Sequence, residues 1–234
     1  MDVVFVHGAL VRDGGWWWGP TAELLRERTG IGSRAVALPS CGETTPDEAS
    51  GGLTADAAAL RRELDRGDGT IVVGHSYGGT VIAEAGHHPA VAHLLLVSSY
   101  LPDVGQAQGA IMADEPDPVR VEPADGGMLG LVGFDAGTFG ARFLQDVDEH
   151  TQRAAWDRVT TQAVGSFVTP TTAAGWQGVD STYLVCTGDR STTVELQRAH
   201  AARASRSVDV ATGHHPFVSR PDLVVAELEA VLSR

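Results

Sequence analysis

The sequence predicts an α/β fold: a mostly parallel six-stranded sheet flanked by helices, with one helical insertion. Three observations carry this. Short β-rich apolar runs alternate with longer helix-like stretches through the first hundred residues, and the alternation breaks down near residue 103 and resumes near 176. Strand, helix, strand at that spacing requires right-handed parallel crossovers. The 234 residues, 43% of them hydrophobic, suffice for a single core with an insertion.

The strand candidates are residues 3–7, 34–38, 70–74 and 94–98, continuous apolar runs suited to burial on both faces. Helix-like stretches lie between them at 20–28, 53–66 and 79–86. The pattern returns with a strand at 182–187, a helix over 194–204, a strand at 207–211 and a last helix over 222–232. Residues 1–102 and 176–234 are therefore expected to form the core, and 103–175 an inserted cap. The insertion carries four prolines, a Gly126-Gly127 pair and amphipathic segments at 137–148 and 149–163, while 41–52 is a second irregular patch.

Composition excludes several chemistries. Thirty acidic against seventeen basic residues give a formal charge of −13, which repels phosphate backbones and anionic bilayers, so neither nucleic acid nor membrane is expected as a partner. All seventeen basic residues are arginine. Without lysine, no Schiff-base enzyme or Walker-type phosphate lysine is possible. Cys41 and Cys186 form neither a disulfide framework nor a CxxC pattern, the nine histidines show no metal-ligand spacing, and no apolar run is long enough to span a bilayer. The chain reads as soluble and cytoplasmic, with no cofactor and no metal.

The run Gly74-His75-Ser76-Tyr77-Gly78-Gly79 matches G-x-S-x-G. Its context gives the match weight, because it directly follows an apolar strand and directly precedes a helix-like stretch. A serine in a tight strand-to-helix turn projects its hydroxyl above the strand's carboxyl end, and glycines on either side allow the close approach. Such a nucleophile needs a base, and the base an orienting acid. Asp189 follows the 182–187 strand and His214 follows the 207–211 strand, so Ser76, Asp189 and His214 stand in the order nucleophile, acid, base. Asp103 is a rival acid and His215 a rival base. The backbone N–H groups of Tyr77 and Ala9 are the candidate oxyanion donors. His7 and His75 are expected to make structural hydrogen bonds behind the site, and His87 and His88 to sit away from it.

These residues resemble the α/β-hydrolase superfamily across nearly the whole chain outside 103–175. The stretches around His7-Gly8-Ala9, Ser76, Tyr183 to Arg190 followed by Gln197, and His214 to Pro221 look like the small bacterial esterases related to plant methylesterases and hydroxynitrile lyases. That branch places its acid eight residues before the glutamine, which implies Asp189. Its cyanohydrin-cleaving members carry threonine and lysine where this chain has Gly8 and His215, which disfavours that activity. The resemblance implies a serine hydrolase acting on a carboxylic ester or lactone. A lyase or cyclase of specialised metabolism using the same triad, or a non-catalytic ligand receptor, are the alternatives. Met112, Met128, Leu129, Leu131, Phe134, Phe139, Phe143, Trp156, Phe167 and Trp176 are candidate pocket residues, and Trp16-Trp17-Trp18 either braces the helix entry or walls the pocket. Eleven acids against four arginines in 103–175 point to a small neutral, largely apolar substrate, or a cationic one.

Overall fold

The computed structural model describes residues 1–45 and 50–233, so part of the irregular 41–52 patch lies outside the described residues. Six parallel strands form the main sheet: β1 (Asp2–Val6), β2 (Ser33–Ala35), β3 (Thr70–His75), β4 (Val91–Val97), β8 (Ser181–Cys186) and β9 (Arg206–Val210), in the spatial order β2-β1-β3-β4-β8-β9. The chain leaves β1 toward β2 on one side and returns to β3 on the other. The crevice between the carboxyl ends of β1 and β3 is thus a topological switch point, where ligands bind in sheets of this type.

Alternation along the strands explains both cores. Val3, Phe5, Ile71, Val73, Leu95 and Val97 face one layer, containing α1 (Gly14–Thr29) and α10 (Pro221–Leu232). Val4, Val6, Val72, Leu94 and Leu96 face the other, containing α2 (Gly52–Leu64) and α3 (Gly78–Ala85). A period of two, buried on both sides, makes the strand sequences continuously apolar. α8 (Val194–Ala201) and the short α9 (Pro216–Ser219) complete the core.

In the core, two expectations change. The first helix begins at Gly14 rather than near residue 20: Asp13 caps it by accepting from the Trp16 N–H, and Pro20 lies inside it. Burial of Trp17 and Trp18, each 1% exposed, outweighs the missing proline N–H. The edge strand β2 is also shorter than its apolar run.

Between β4 and β8 the insertion is not wholly helical. It holds α4 (Gln108–Ala113), α5 (Ala136–Phe143), α6 (Glu149–Trp156) and α7 (Gly165–Val168), but also an antiparallel sheet of β5 (Val121–Ala124), β6 (Met128–Leu131) and β7 (Gln162–Ala163). Gly126 and Gly127, at φ 72° and 75°, make the hairpin turn. Pro123 is tolerated because β5 is an edge strand. The second amphipathic segment is helical only to Trp156; beyond it, Val159 pairs with Val11, and Arg158 O and Thr160 N bond Arg12 N and Leu10 O at 2.9 Å each. That strip fastens the insertion to the loop after β1. Among the described residues no helix is long and apolar enough to cross a membrane.

Candidate active site

Ser76 sits directly past β3 at φ 51°, in the left-handed region that a serine adopts only when its surroundings force it. The restraints are visible. Its carbonyl accepts from the Gly79 and Tyr100 N–H groups at 3.1 Å and from Ser99 Oγ at 3.0 Å, and its own N–H donates to Val97 O at 3.3 Å. A Cβ on Gly78 would lie 2.4 Å from Val6 O, and one on Gly79 2.0 Å from Tyr100 O, so only glycine lets α3 approach the strands this closely.

Asp189, past β8, and His214, past β9, meet at the same rim. His214 Nδ1 donates to Asp189 Oδ2 at 2.7 Å, with the two side chains 4% and 0% exposed. Asp189 Oδ1 accepts from the Ser191 and Thr192 N–H groups at 2.7 and 3.1 Å, and Oδ2 also accepts from Ser98 Oγ at 2.6 Å and Gln197 Nε2 at 3.2 Å. Burial pushes this carboxyl up, but the neighbouring His214 and the bonds from His214, Ser98 and Ser191 outweigh it, leaving its pKa below the usual carboxylate value. Ser76 and His214 line one cavity at the β1/β3 switch point, although the serine hydroxyl is not hydrogen-bonded to the imidazole. Such contacts are often loose before substrate binds.

The rivals are engaged with other partners, although His215 and His75 line the same cavity. Asp103 is half-exposed and pairs with Arg203 at 3.2 Å. His215 turns its Nδ1 to Phe143 O at 2.9 Å and stacks on Trp17, and burial pushes its pKa down to about 3. His75 donates from Nε2 to His214 O at 2.9 Å, and His88 pairs with Asp65 near the protein surface.

The loop after β1 forms the opposite wall. His7, 1% exposed, bonds Glu43 Oε2 at 2.7 Å; Glu43 also accepts from the Asp13 and Leu38 N–H groups, so one carboxylate ties three segments together. Burial lowers the His7 pKa and raises that of Glu43, but their mutual pairing wins and shifts each the other way. Among the described residues neither the Ala9 nor the Tyr77 backbone N–H has a hydrogen-bond partner. Of the candidate pocket residues, Met112, Leu131, Phe139 and Phe143 line the cavity and the other six do not. Trp18 is sandwiched between Phe5 and Phe217, so the tryptophans brace the helix entry. No cluster of metal-ligating side chains occurs among the described residues.

A model of the alpha/beta hydrolase family matches residues 3–227. The chain belongs to this family. Among curated proteins this α/β hydrolase is similar to the alpha/beta hydrolase nvfD of Aspergillus novofumigatus, 27% identical over 209 residues that cover 82% of this chain and 81% of that protein. A pyrethroid hydrolase from Sphingobium faniae superposes with a TM-score of 0.81 at 23% identity, covering 98% of this chain and 96% of its own. Polyneuridine aldehyde esterase superposes with a TM-score of 0.78 at 17% identity, covering 98% of each chain. At these identities the two structures share its fold.

Sequence reasoning missed Ser98, Glu43, Asp56 and Gln162. Ser98 had a signal, since it ends the strand beside Ser76. Its φ of 41° turns Oγ toward Asp189. The other three act through partners 5 to 152 positions away in sequence, and no local pattern marks them.

Proposed function

We propose that this α/β hydrolase cleaves a small, neutral, largely apolar carboxylic ester or lactone through an acyl-serine intermediate. The observation that carries the reading is the Asp189–His214 pair. With Nδ1–H fixed on a buried carboxylate, the Nε2 lone pair is left to act as base in the cavity that Ser76 lines.

His214 Nε2 takes the Ser76 hydroxyl proton as Oγ bonds to the substrate carbonyl carbon, and the carbonyl oxygen becomes an oxyanion facing the Ala9 and Tyr77 N–H groups. Collapse breaks the carbon–oxygen bond to the alcohol, which leaves with the proton from His214. Water then gives a proton to His214 as it attacks the acyl carbon, and His214 returns that proton to Ser76 Oγ as the bond between Oγ and the acyl carbon breaks, releasing the acid and free Ser76. Residues 103–175 act as a cap whose Met112, Leu131, Phe139 and Phe143 favour apolar substituents. Ser76→Ala is expected to abolish turnover of activated esters and labelling by a serine-directed phosphonate. Turnover that survives this substitution, or labelling at another residue, would overturn the assignment.

A further inference from the structure

We infer that Gln162, on cap strand β7, is a positioning residue that holds the two walls of the oxyanion pocket in register through a buried chain of hydrogen bonds. The inference rests on the ester-hydrolase reading, which gives the Ala9 and Tyr77 N–H groups their role. Gln162 Oε1 accepts from the Leu10 N–H at 2.8 Å, and its Nε2 donates to Ser40 Oγ at 3.0 Å. Ser40 Oγ donates to Asp56 Oδ2 at 2.6 Å, its N–H reaches Asp56 Oδ1 at 2.9 Å, and Tyr77 OH donates to the same Oδ2 at 2.7 Å. Gln162, Ser40, Asp56 and Tyr77 are all 0% exposed.

One end of the chain is the residue after Ala9 and the other is the residue after Ser76. Leu10 is held at φ 61°, a conformation costly for leucine. An acceptor on its N–H and the Thr160 N–H on its carbonyl at 2.9 Å are what the structure supplies to keep it there. The peptide that Leu10 anchors joins it to Ala9, and the Gly8–Ala9 peptide that carries the Ala9 N–H pivots on the other side of the Ala9 Cα, so fixing the first restrains the direction of the second. With water excluded, each bond in such a chain is stronger than at a surface, and loss of one leaves its partner unpaired. The cap therefore contributes to the reacting centre as well as to the pocket wall.

The test uses p-nitrophenyl acetate, whose acyl group is small enough to report on the oxyanion pocket rather than on cap contacts. Gln162→Met keeps the side chain's length but removes both hydrogen bonds; kcat is expected to fall about 10- to 100-fold with KM within about twofold, the size of a misplaced donor. Gln162→Glu, when protonated, accepts from Leu10 and donates to Ser40 as glutamine does. Its rate relative to wild type should recover at low pH and fall as pH rises. Ser40→Ala cuts the chain at its centre without altering the cap, and is expected to reproduce the kcat loss even if Gln162→Met does not fold. Unchanged kcat in folded Gln162→Met or Ser40→Ala would overturn the inference, as would a pH-independent ratio for Gln162→Glu. Wild-type turnover no faster than that of Ser76→Ala would overturn the ester reading and this inference with it.

Discussion

Asp189 holds one proton-bearing nitrogen of His214 and thereby determines which nitrogen is free to act. An amide at this position keeps the shape but can offer its NH₂ to Nδ1, favouring the wrong tautomer, so Asp189→Asn is expected to lower kcat by about 10³ to 10⁴ with near-normal stability. Ser98→Ala is a milder change. It removes one of the bonds that outweigh burial at Asp189, so the carboxyl pKa rises toward its ordinary value, and kcat for an activated ester is expected to fall less than about tenfold. Equal losses from the two variants would show that Ser98 does more than support the acid. The placement of Ser76, Asp189 and His214 at one rim of the sheet was legible in the sequence because each follows a strand with turn residues around it. The preference for His214 over His215 agrees with the partners the structure gives them, but those partners were not legible, because neighbouring side chains differ only in rotamer and partner, and Phe143 O, the partner of His215, lies 72 residues away.

At the scale of elements, alternating apolar runs revealed the buried parallel strands, and close packing of α3 against them depends on glycine. Gly79→Ala places a methyl group against Tyr100 O, where the backbone would have to move, and is expected to lower stability by about 1 to 3 kcal/mol or prevent folding. Gly19, inside α1 with open space around it, is the opposite case: Gly19→Ala is expected to raise stability by up to about 1 kcal/mol. Urea midpoints of the two variants check both signs. The cap hairpin escaped the sequence reading because β5 and β6 are four residues each, with Pro123 within one and Gly126-Gly127 between them. Strands that short carry little periodicity, and the partner that makes β7 a strand is more than thirty residues distant.

For the whole molecule, buried imidazoles couple folding to pH. Burial holds His75 well below its ordinary value and lowers His215 to about 3 and His200 to about 4. All three remain neutral in the folded protein at pH 5, whereas in the unfolded chain they bind protons below about 6.5. The unfolded state then carries about three extra protons, so stability falls with pH at about 1.4 kcal/mol per unit for each group. His7 acts in the other direction: its raised pKa contributes stability that is complete below about 6.5 and is lost as pH rises through the folded value. Below about pH 4.5, Glu43 and Asp189, both held low, add to the acid loss as they protonate, while Asp56, pushed up by burial, opposes it. The urea midpoint is accordingly expected to drop steeply between pH 6.5 and 5. His215→Ser should reduce the proton uptake on unfolding by about one and flatten the slope by about a third. A midpoint independent of pH over this range would mean that the three histidines take up protons in the folded protein, with the packing of His75 and His215 against Trp17 and Phe217 accommodating the charge.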